Sequence, residues 1–537
     1  MKRRNVKRLM ALLLSTALLL SGCGSSTAKS AEETTTEAEA TGEADTATEE
    51  NSGSGGVVKM ARQQDSEKLD PVLASDNNDI WVINMMLEGL VASSDDGKEI
   101  IPAVADTWEI SEDGLVYTFH IRDGIQFSNG EAVTVEDCIY SLTRAKEMDG
   151  PWIGMLDMIA SMEDAGDNTL KINLEYASPA LLSTLAMFSC SIMPEAYCEE
   201  VGDEGIAENP IGTGPFILEN WTKGEQMVFV KNPYYWEEGC PKVDEVDMLV
   251  VGDDNTRIMQ LESGQVDMAS HIPYNRIAEL DGQDGITVNL FDSTEIKYVI
   301  VNCQSEYLSD PKVRKALKLA TDKDAINQAV YFGYAKVAES YISPAAPHYN
   351  ESLPESEVDI ESAKALMEEA GYPDGISIQI EVGSGDSTNL TVATMLQEQW
   401  AEIGVTLDIQ QMDYATIRQD WKDGNYDVFL SYLTSDMTDT SELAGLWCIY
   451  DQTSCFYSYW NDEDQKKVEE LCIAANQEMD EDVRMQEYCE IQEITAESCP
   501  NIPIVCTPFT LAASDKVSGA VQTPLGIYNF KNLTISE

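Results

Sequence analysis

Between Ile376 and Tyr432 the chain alternates between two hydrophobic periods, and this limits what it can fold into more than any other feature. Residues 376–382 alternate apolar and polar side chains as a strand does, and 388–403 repeat at helical spacing and stop at Gly404. A strand over 405–411, a helix over 414–422 and a strand over 426–432 come next. Strands joined in this way run parallel, because a parallel pair needs a long crossover between its members. The expectation is a largely parallel α/β unit with its ligand beyond the carboxyl ends of the strands. Upstream, Asp310 offers a capping carboxylate and Pro311 suits the first helical position, so a helix opens there with Val313, Leu317 and Ala320 on one face. Another helix over 360–370 ends at Gly371, ahead of Pro373.

Residues 101–144 read differently. Trp108 and Ile110 share one strand face, Asp113-Gly114 turns the chain, and Tyr117, Phe119 and Ile121 alternate on the return strand. Asn129-Gly130 makes another turn. Thr134 and Asp137 have the spacing of a capping box, which opens a helix through Ile139, Leu142 and Arg144. Further on come strands over 227–231 and 245–251, a helix over 255–263, a long helical region over 461–498 and a strand over 500–511. Gly212-Thr213-Gly214 is not a phosphate cradle, since no third glycine and no Gly-Lys-Ser/Thr follow. Trp152 belongs either to the core or to a pocket wall.

The string Pro102, Val104-Ala105, Trp108, Ser111, Asp113-Gly114, Tyr117-Thr118-Phe119, Ile121-Arg122, Gly124-Ile125, Phe127, Asn129-Gly130, Asp137 and Ser141 resembles the signature of the family 5 extracellular solute-binding proteins, the oligopeptide and dipeptide receptors of ABC importers. Leu69-Asp70-Pro71, Glu88-Gly89-Leu90, Gly212 to Phe216, Asn232 to Trp236, Leu261 to Asp267 and Asp310 to Ile326 resemble that family's other motifs. The resemblance implies an α/β, two-lobed periplasmic-binding-protein-like fold (type II, cluster C) with an extra subdomain in lobe one. Lobe one would span 57–292, with the subdomain at about 99–209; lobe two would span 293–499, and 500–537 would return to lobe one. It also implies a monomer that captures a short peptide between the lobes and docks on an ABC permease and ATPase complex.

The N-terminus reads as an export signal. Lys2, Arg3, Arg4, Lys7 and Arg8 precede an apolar run over 9–20 that is too short to span a membrane. Leu20-Ser21-Gly22-Cys23 resembles a bacterial lipobox, which makes 1–22 a lipoprotein signal peptide and Cys23 the lipidated residue. Residues 23–56 are acidic and of low complexity, and serve as a tether. The protein is then anchored by lipid to the extracytoplasmic face of the cell membrane.

Composition excludes several classes. With 95 acidic and 34 basic residues the net charge is −61, which excludes nucleic acid as a partner. His120, His271 and His348 are scattered, and the cysteines show no C-x-x-C pair, so no metal or cofactor is expected. Most of the cysteines are expected to be free and buried, with a Cys448–Cys455 pair, six residues between its members, as the alternative. No G-x-S-x-G or H-E-x-x-H occurs, so the chain is not read as an enzyme.

The loop after Tyr432 carries the binding expectation. In peptide-binding relatives it resembles W-x-x-D-x-x-D/E-P, and the first Asp pairs with the peptide's α-amino group. Asp436 occupies that position and Asp439 the second acidic one, while Leu433 and Thr440 depart from the pattern. Asn77 and Ser270 sit in polar loops that could face the cleft. Tyr414, Trp421, Tyr432 and Trp447 leave open an oligosaccharide site or core packing. A nickel or haem chelate, and a surface sensor or adhesin without transport, are the remaining alternatives.

Overall fold

The computed structural model describes residues 55–536; the expected signal peptide, Cys23 and nearly all of the expected tether lie outside the described residues. Two mixed sheets organise the body. The larger runs in the order Ile286–Phe291, Phe509–Ser514, Met268–Ser270, Val57–Arg62, Glu245–Val250, Gln226–Lys231, Phe216–Thr222. The smaller runs Lys336–Val337, Asn501–Cys506, Ile296–Val301, Val428–Leu433, Ile376–Gly383, Val405–Met412. Apolar clusters cover both faces of each, so each sheet is the middle layer of its own lobe.

The alternation over 376–432 yields the expected parallel core: Ile376–Gly383 pairs in parallel with both Val405–Met412 and Val428–Leu433. The helices between them are Ser387–Ala401, capped by Asp386, and Tyr414–Asp423, which ends at Gly424 with φ 70°. The rest of this sheet is antiparallel, so the unit is less parallel than expected. The reason lies in the hinge. The strand read over 500–511 is in fact two: Asn501–Cys506 pairs with Ile296–Val301 in the smaller sheet, and Phe509–Ser514 pairs with Ile286–Phe291 in the larger. The chain therefore crosses between lobes at 292–295 and again at 507–508. Ser293 Oγ and Thr507 N bind across the two crossings to the carbonyls of Thr507 and Glu295.

The 101–144 string folds as read. Ala105–Ile110 and Val116–Ile121 form the hairpin, with Tyr117, Phe119 and Ile121 buried. Thr134 and Asp137 exchange the bonds of a capping box, at 3.0 and 3.2 Å. The hairpin joins Thr169–Leu174 and Ile159–Asp164 in a separate four-stranded antiparallel sheet with its own core. Among the described residues no helix is long and apolar enough to cross a membrane. The long helical region is two helices, Glu463–Ala475 and Glu481–Ser498. Cys448 and Cys455 do not pair; both thiols are free, and that of Cys455 points at the Cys448 carbonyl 3.8 Å away.

Several motif residues meet at one carboxylate. Glu88 accepts from Thr213 Oγ1 at 2.9 Å, Tyr235 OH at 3.1 Å and Trp236 Nε1 at 2.9 Å. The glycines beside Thr213 are required by close approach. A Cβ on Gly214 would lie 2.5 Å from the Met86 backbone, and one on Gly212 would lie 2.8 Å from the Met86 carbonyl oxygen. Burial pushes the Glu88 carboxyl upward, against the three donors, which favour its charge. Glu88→Leu strands those donors and is expected to cost about 2–4 kcal/mol in urea unfolding, with Glu88→Gln losing less because it keeps an acceptor.

Candidate functional site

The three parallel strands end together. Gly383 lies opposite Met412, and Leu433 closes the third strand beside them. The segments that leave these strands are therefore gathered at one edge: the Asp386-capped helix start, Tyr414, and the loop 434–440. The first lobe faces this edge with the start of helix Asn77–Ile83 and with Ser93. Asn77 Nδ2 donates to Thr434 Oγ1 across the gap at 3.4 Å, and the hydroxyls of Ser93 and Thr438 hydrogen-bond at 2.7 Å. Met187 of the first lobe and Met437 of the second belong to one apolar cluster, flanked by Trp152. Trp152 itself donates to the Ala74 carbonyl at 2.7 Å and stacks edge-on against Phe188, so it is both core and rim.

The loop is held from within. Glu442 accepts from the amides of Asp436 (2.9 Å) and Met437 (3.2 Å) and from Ser435 Oγ (2.8 Å). Asp439 gives both oxygens to the Arg484 guanidinium, at 2.7 and 2.8 Å, in a buried pair. Burial works against the Asp439 charge, but Arg484 holds its carboxyl below the usual range. His348 Nδ1 pairs with Thr440 Oγ1 at 2.9 Å. Against these anchors the Asp436 carboxylate stands apart: among the described residues it has neither a hydrogen-bond nor an ion-pair partner. Burial, and then the Glu442 charge, push it well above the normal carboxylate range. A cation delivered there would meet an uncompensated, largely desolvated carboxylate.

The expected site residues divide. Tyr432 (53% exposed) and Tyr414 (55% exposed) are both open to solvent at this edge. Lys297 Nζ lies 4.0 Å over the Tyr432 ring and 2.8 Å from Glu295. Tyr414 OH donates to Asp386 at 2.8 Å, and its ring covers Gly383, where a Cβ would come within 2.4 Å of it. Asn77 reaches the same loop. Three others serve the scaffold. Asp439 belongs to its ion pair. Trp421 packs against Phe429, Phe456 and Tyr457 at 4.8–5.1 Å inside lobe two. Ser270 is buried beneath His271, with its carbonyl on Arg257 Nε at 2.9 Å. Trp447, likewise, is fully buried against Tyr298 and Tyr341.

A cavity of about 610 Å³ lies nearer the hinge and is lined by residues from both lobes: Trp81, His271 and Tyr274 from one, Phe332, Thr388 and Thr391 from the other, with Glu295 and Phe509 at the crossings. None of the expected site residues lines it. Burial, then the nearby Arg257, lower His271 to about 4, so it is neutral here. Phe332 holds a left-handed backbone (φ 55°) and is half exposed on the wall, a conformation that costs an aromatic residue energy. The sequence signals missed were the short polar crossing before Ile296 and the Phe332-Gly333 pair after a helix.

A family model described as bacterial extracellular solute-binding proteins, family 5 Middle, matches residues 99–454. The chain is 28% identical to the dipeptide-binding protein of Escherichia coli K12 over 489 residues, covering 86% of this chain and 90% of that one. It is 27% identical to heme-binding protein A of Haemophilus influenzae over 485 residues, covering 84% and 87%. Among solved structures it resembles a periplasmic binding protein, DppA, from Helicobacter pylori in complex with the peptide STSA: TM-score 0.78, 26% identity, 90% of this chain and 99% of that one. NikA of Brucella suis, in complex with Fe(III)-EDTA, shares the fold at TM-score 0.80 and 22% identity, with 90% and 100% covered.

The buried pair beneath the loop has a measurable consequence. Arg484→Met leaves Asp439 desolvated and unpaired, and is expected to destabilise the protein by about 3–5 kcal/mol in denaturant unfolding, whereas replacing both partners with apolar residues recovers much of that loss.

Proposed function

The chain belongs to the bacterial extracellular solute-binding proteins of family 5, and we propose that it captures short peptides between its lobes and delivers them to an ABC permease with its ATPase. Its relatives are solute-binding proteins, and it is a binding protein rather than an enzyme. The observation that carries the proposal is the unpartnered Asp436 carboxylate at the ends of the parallel strands, which offers a peptide's α-ammonium a charge-assisted bond in a water-poor site. The dipeptide-binding relative and the peptide-bound neighbour support this substrate class. Closure follows from differential contact: only the closed form touches ligand from both lobes, so ligand shifts the hinge toward it. The contacts Asn77–Thr434 and Ser93–Thr438 belong to that closed arrangement.

A second reading is favoured by the exposed rings of Tyr414, Tyr432 and Phe332, which suit a flat or ring-bearing ligand such as an oligosaccharide or a chelate. The heme-binding relative falls on this side. We further propose that Cys23 is diacylated and holds the protein at the membrane, since a lipobox follows the apolar run and two acyl chains suffice for stable anchoring.

Asp436→Asn is expected to weaken free tri- and tetrapeptides about tenfold or more while barely changing their N-acetyl forms, measured by calorimetry. Equal losses would remove the amine role. In the parent protein the same titrations should report proton release: the empty site holds its proton to an unusually high pH, and the ammonium requires the charged carboxylate. Affinity therefore falls as pH drops through that raised pKa. Cys23→Ser should move the protein from the membrane fraction to the soluble one; continued retention would end the lipid-anchor reading.

A further inference from the structure

We infer that Met479 and the extra subdomain form a closing latch: the Met479 side chain seats on the hairpin turn at Gly114 when the lobes come together, and holds the empty protein closed for part of the time. The inference rests on the lobe closure proposed above and not on the choice of ligand. A Cβ added to Gly114 would lie 3.1 Å from Met479 Sδ, 3.2 Å from its methyl carbon and 3.3 Å from Ala177 Cβ. The end of the Met479 side chain therefore rests on the bare face of the glycine, beside Ala177. Gly114 joins the two strands of the hairpin, and Ala177 follows strand Thr169–Leu174 of the same sheet. That subdomain is fastened to lobe one, where Arg144 grips Asp70 with two bonds, at 2.5 and 2.9 Å. Met479 belongs to lobe two, in the turn between helices Glu463–Ala475 and Glu481–Ser498. The contact thus spans the lobes, and opening the hinge breaks it.

Met479 precedes Asp480, the N-cap residue of its helix. An apolar residue at that position ordinarily packs on the fourth helical residue. Here the fourth residue is Arg484, whose guanidinium is given to Asp439, so the usual apolar partner is missing and Met479 reaches across the seam instead. Its unbranched chain suits a shallow seat made by a glycine and an alanine. The turn that carries it is stiff. The amides of Gln477 and Glu478 both donate to the Ala474 carbonyl, at 2.9 and 3.0 Å, and Asp480 N donates to Glu478 Oε1 at 2.8 Å. The turn is also tied to the loop 434–440. Arg484 links Asp439 to the Ala475 carbonyl, which accepts from Nε at 2.8 Å, and His348 links Thr440 to Glu481, at 2.9 and 2.7 Å. Loop and turn therefore move as one piece, and seating Met479 brings Thr434 and Thr438 to Asn77 and Ser93. Met479 does not line the 610 Å³ cavity, so the latch acts on the lobes rather than on ligand. A contact made only in the closed form, and made without ligand, raises the closed population before ligand arrives.

The test uses the purified full chain, with small-angle X-ray scattering of the empty protein followed by calorimetric titration with tri-alanine and its N-acetyl form. Met479→Glu puts a charge on the apolar seat, and Met479→Leu keeps an apolar side chain there. Met259→Glu adds the same charge at an exposed methionine of helix Asp254–Glu262 in lobe one. Melting midpoints check that each variant folds. Met479→Glu should enlarge the radius of gyration of the empty protein, while the other two variants match the parent. An unchanged radius in Met479→Glu overturns the inference. So does an equal increase in Met259→Glu, which would trace the change to charge alone. Met479→Glu should also weaken tri-alanine and its N-acetyl form by the same factor, about three- to tenfold, the worth of a half-buried apolar side chain. A loss confined to one of the two would place Met479 against the ligand and overturn the latch. Failure of both to bind the parent removes the peptide reading alone, and the radius of gyration still decides the latch.

Discussion

One carboxylate holds the loop on which this cleft depends. Glu442, inside the helix that comes after it, gathers two loop amides and a hydroxyl. Without such an acceptor, those donors would be buried with no partner, and the loop would have to open to water. The buried Asp439–Arg484 pair and the His348–Thr440 bond fix the loop's other end. The loop's charged groups are thus spent on the loop itself except the Asp436 carboxylate. That exception is costly in an empty cleft, because a desolvated carboxylate beside a second one resists ionising. Under the proposed function, the ligand's ammonium compensates it.

The same loop also touches the opposite lobe. Thr434, Met437 and Thr438 meet Asn77, Met187 and Ser93, contacts that exist only when the lobes are together. Under the proposed function, ligand capture and closure share one segment, and the two-strand hinge at 292–295 and 507–508 would let that segment move without unfolding either sheet. A hinge of this form also explains why the smaller sheet is mixed. The strand returning from lobe two must pair beside the strand that entered it, antiparallel, before leaving.

The family motifs turn out to be mostly scaffold. Glu88, Thr213, Tyr235 and Trp236 come from three motifs and meet in one hydrogen-bonded knot. The flanking glycines are there because Met86 leaves no room for a side chain. Such motifs identify a fold reliably because they encode its packing. They say little about the ligand, and Leu433 and Thr440, departures within the loop after the last parallel strand, leave the fold untouched.

Local pattern was enough to read the elements and the family. Period and capping residues placed the parallel strands, the 105–121 hairpin and the helices after Thr134 and Asp310, since these depend on neighbours within a few residues. Pattern also placed the loop after the last parallel strand, and the resemblance to the family's loop singled out Asp436 within it. Which polar groups remain free was a matter for long-range packing. Asp439 looked as suitable as Asp436 until Arg484, from a distant helix, proved to occupy it. Trp421 and Trp447 read as possible wall residues until the core closed around them. A side chain's availability is set by contacts remote in sequence, and local pattern carries no record of them.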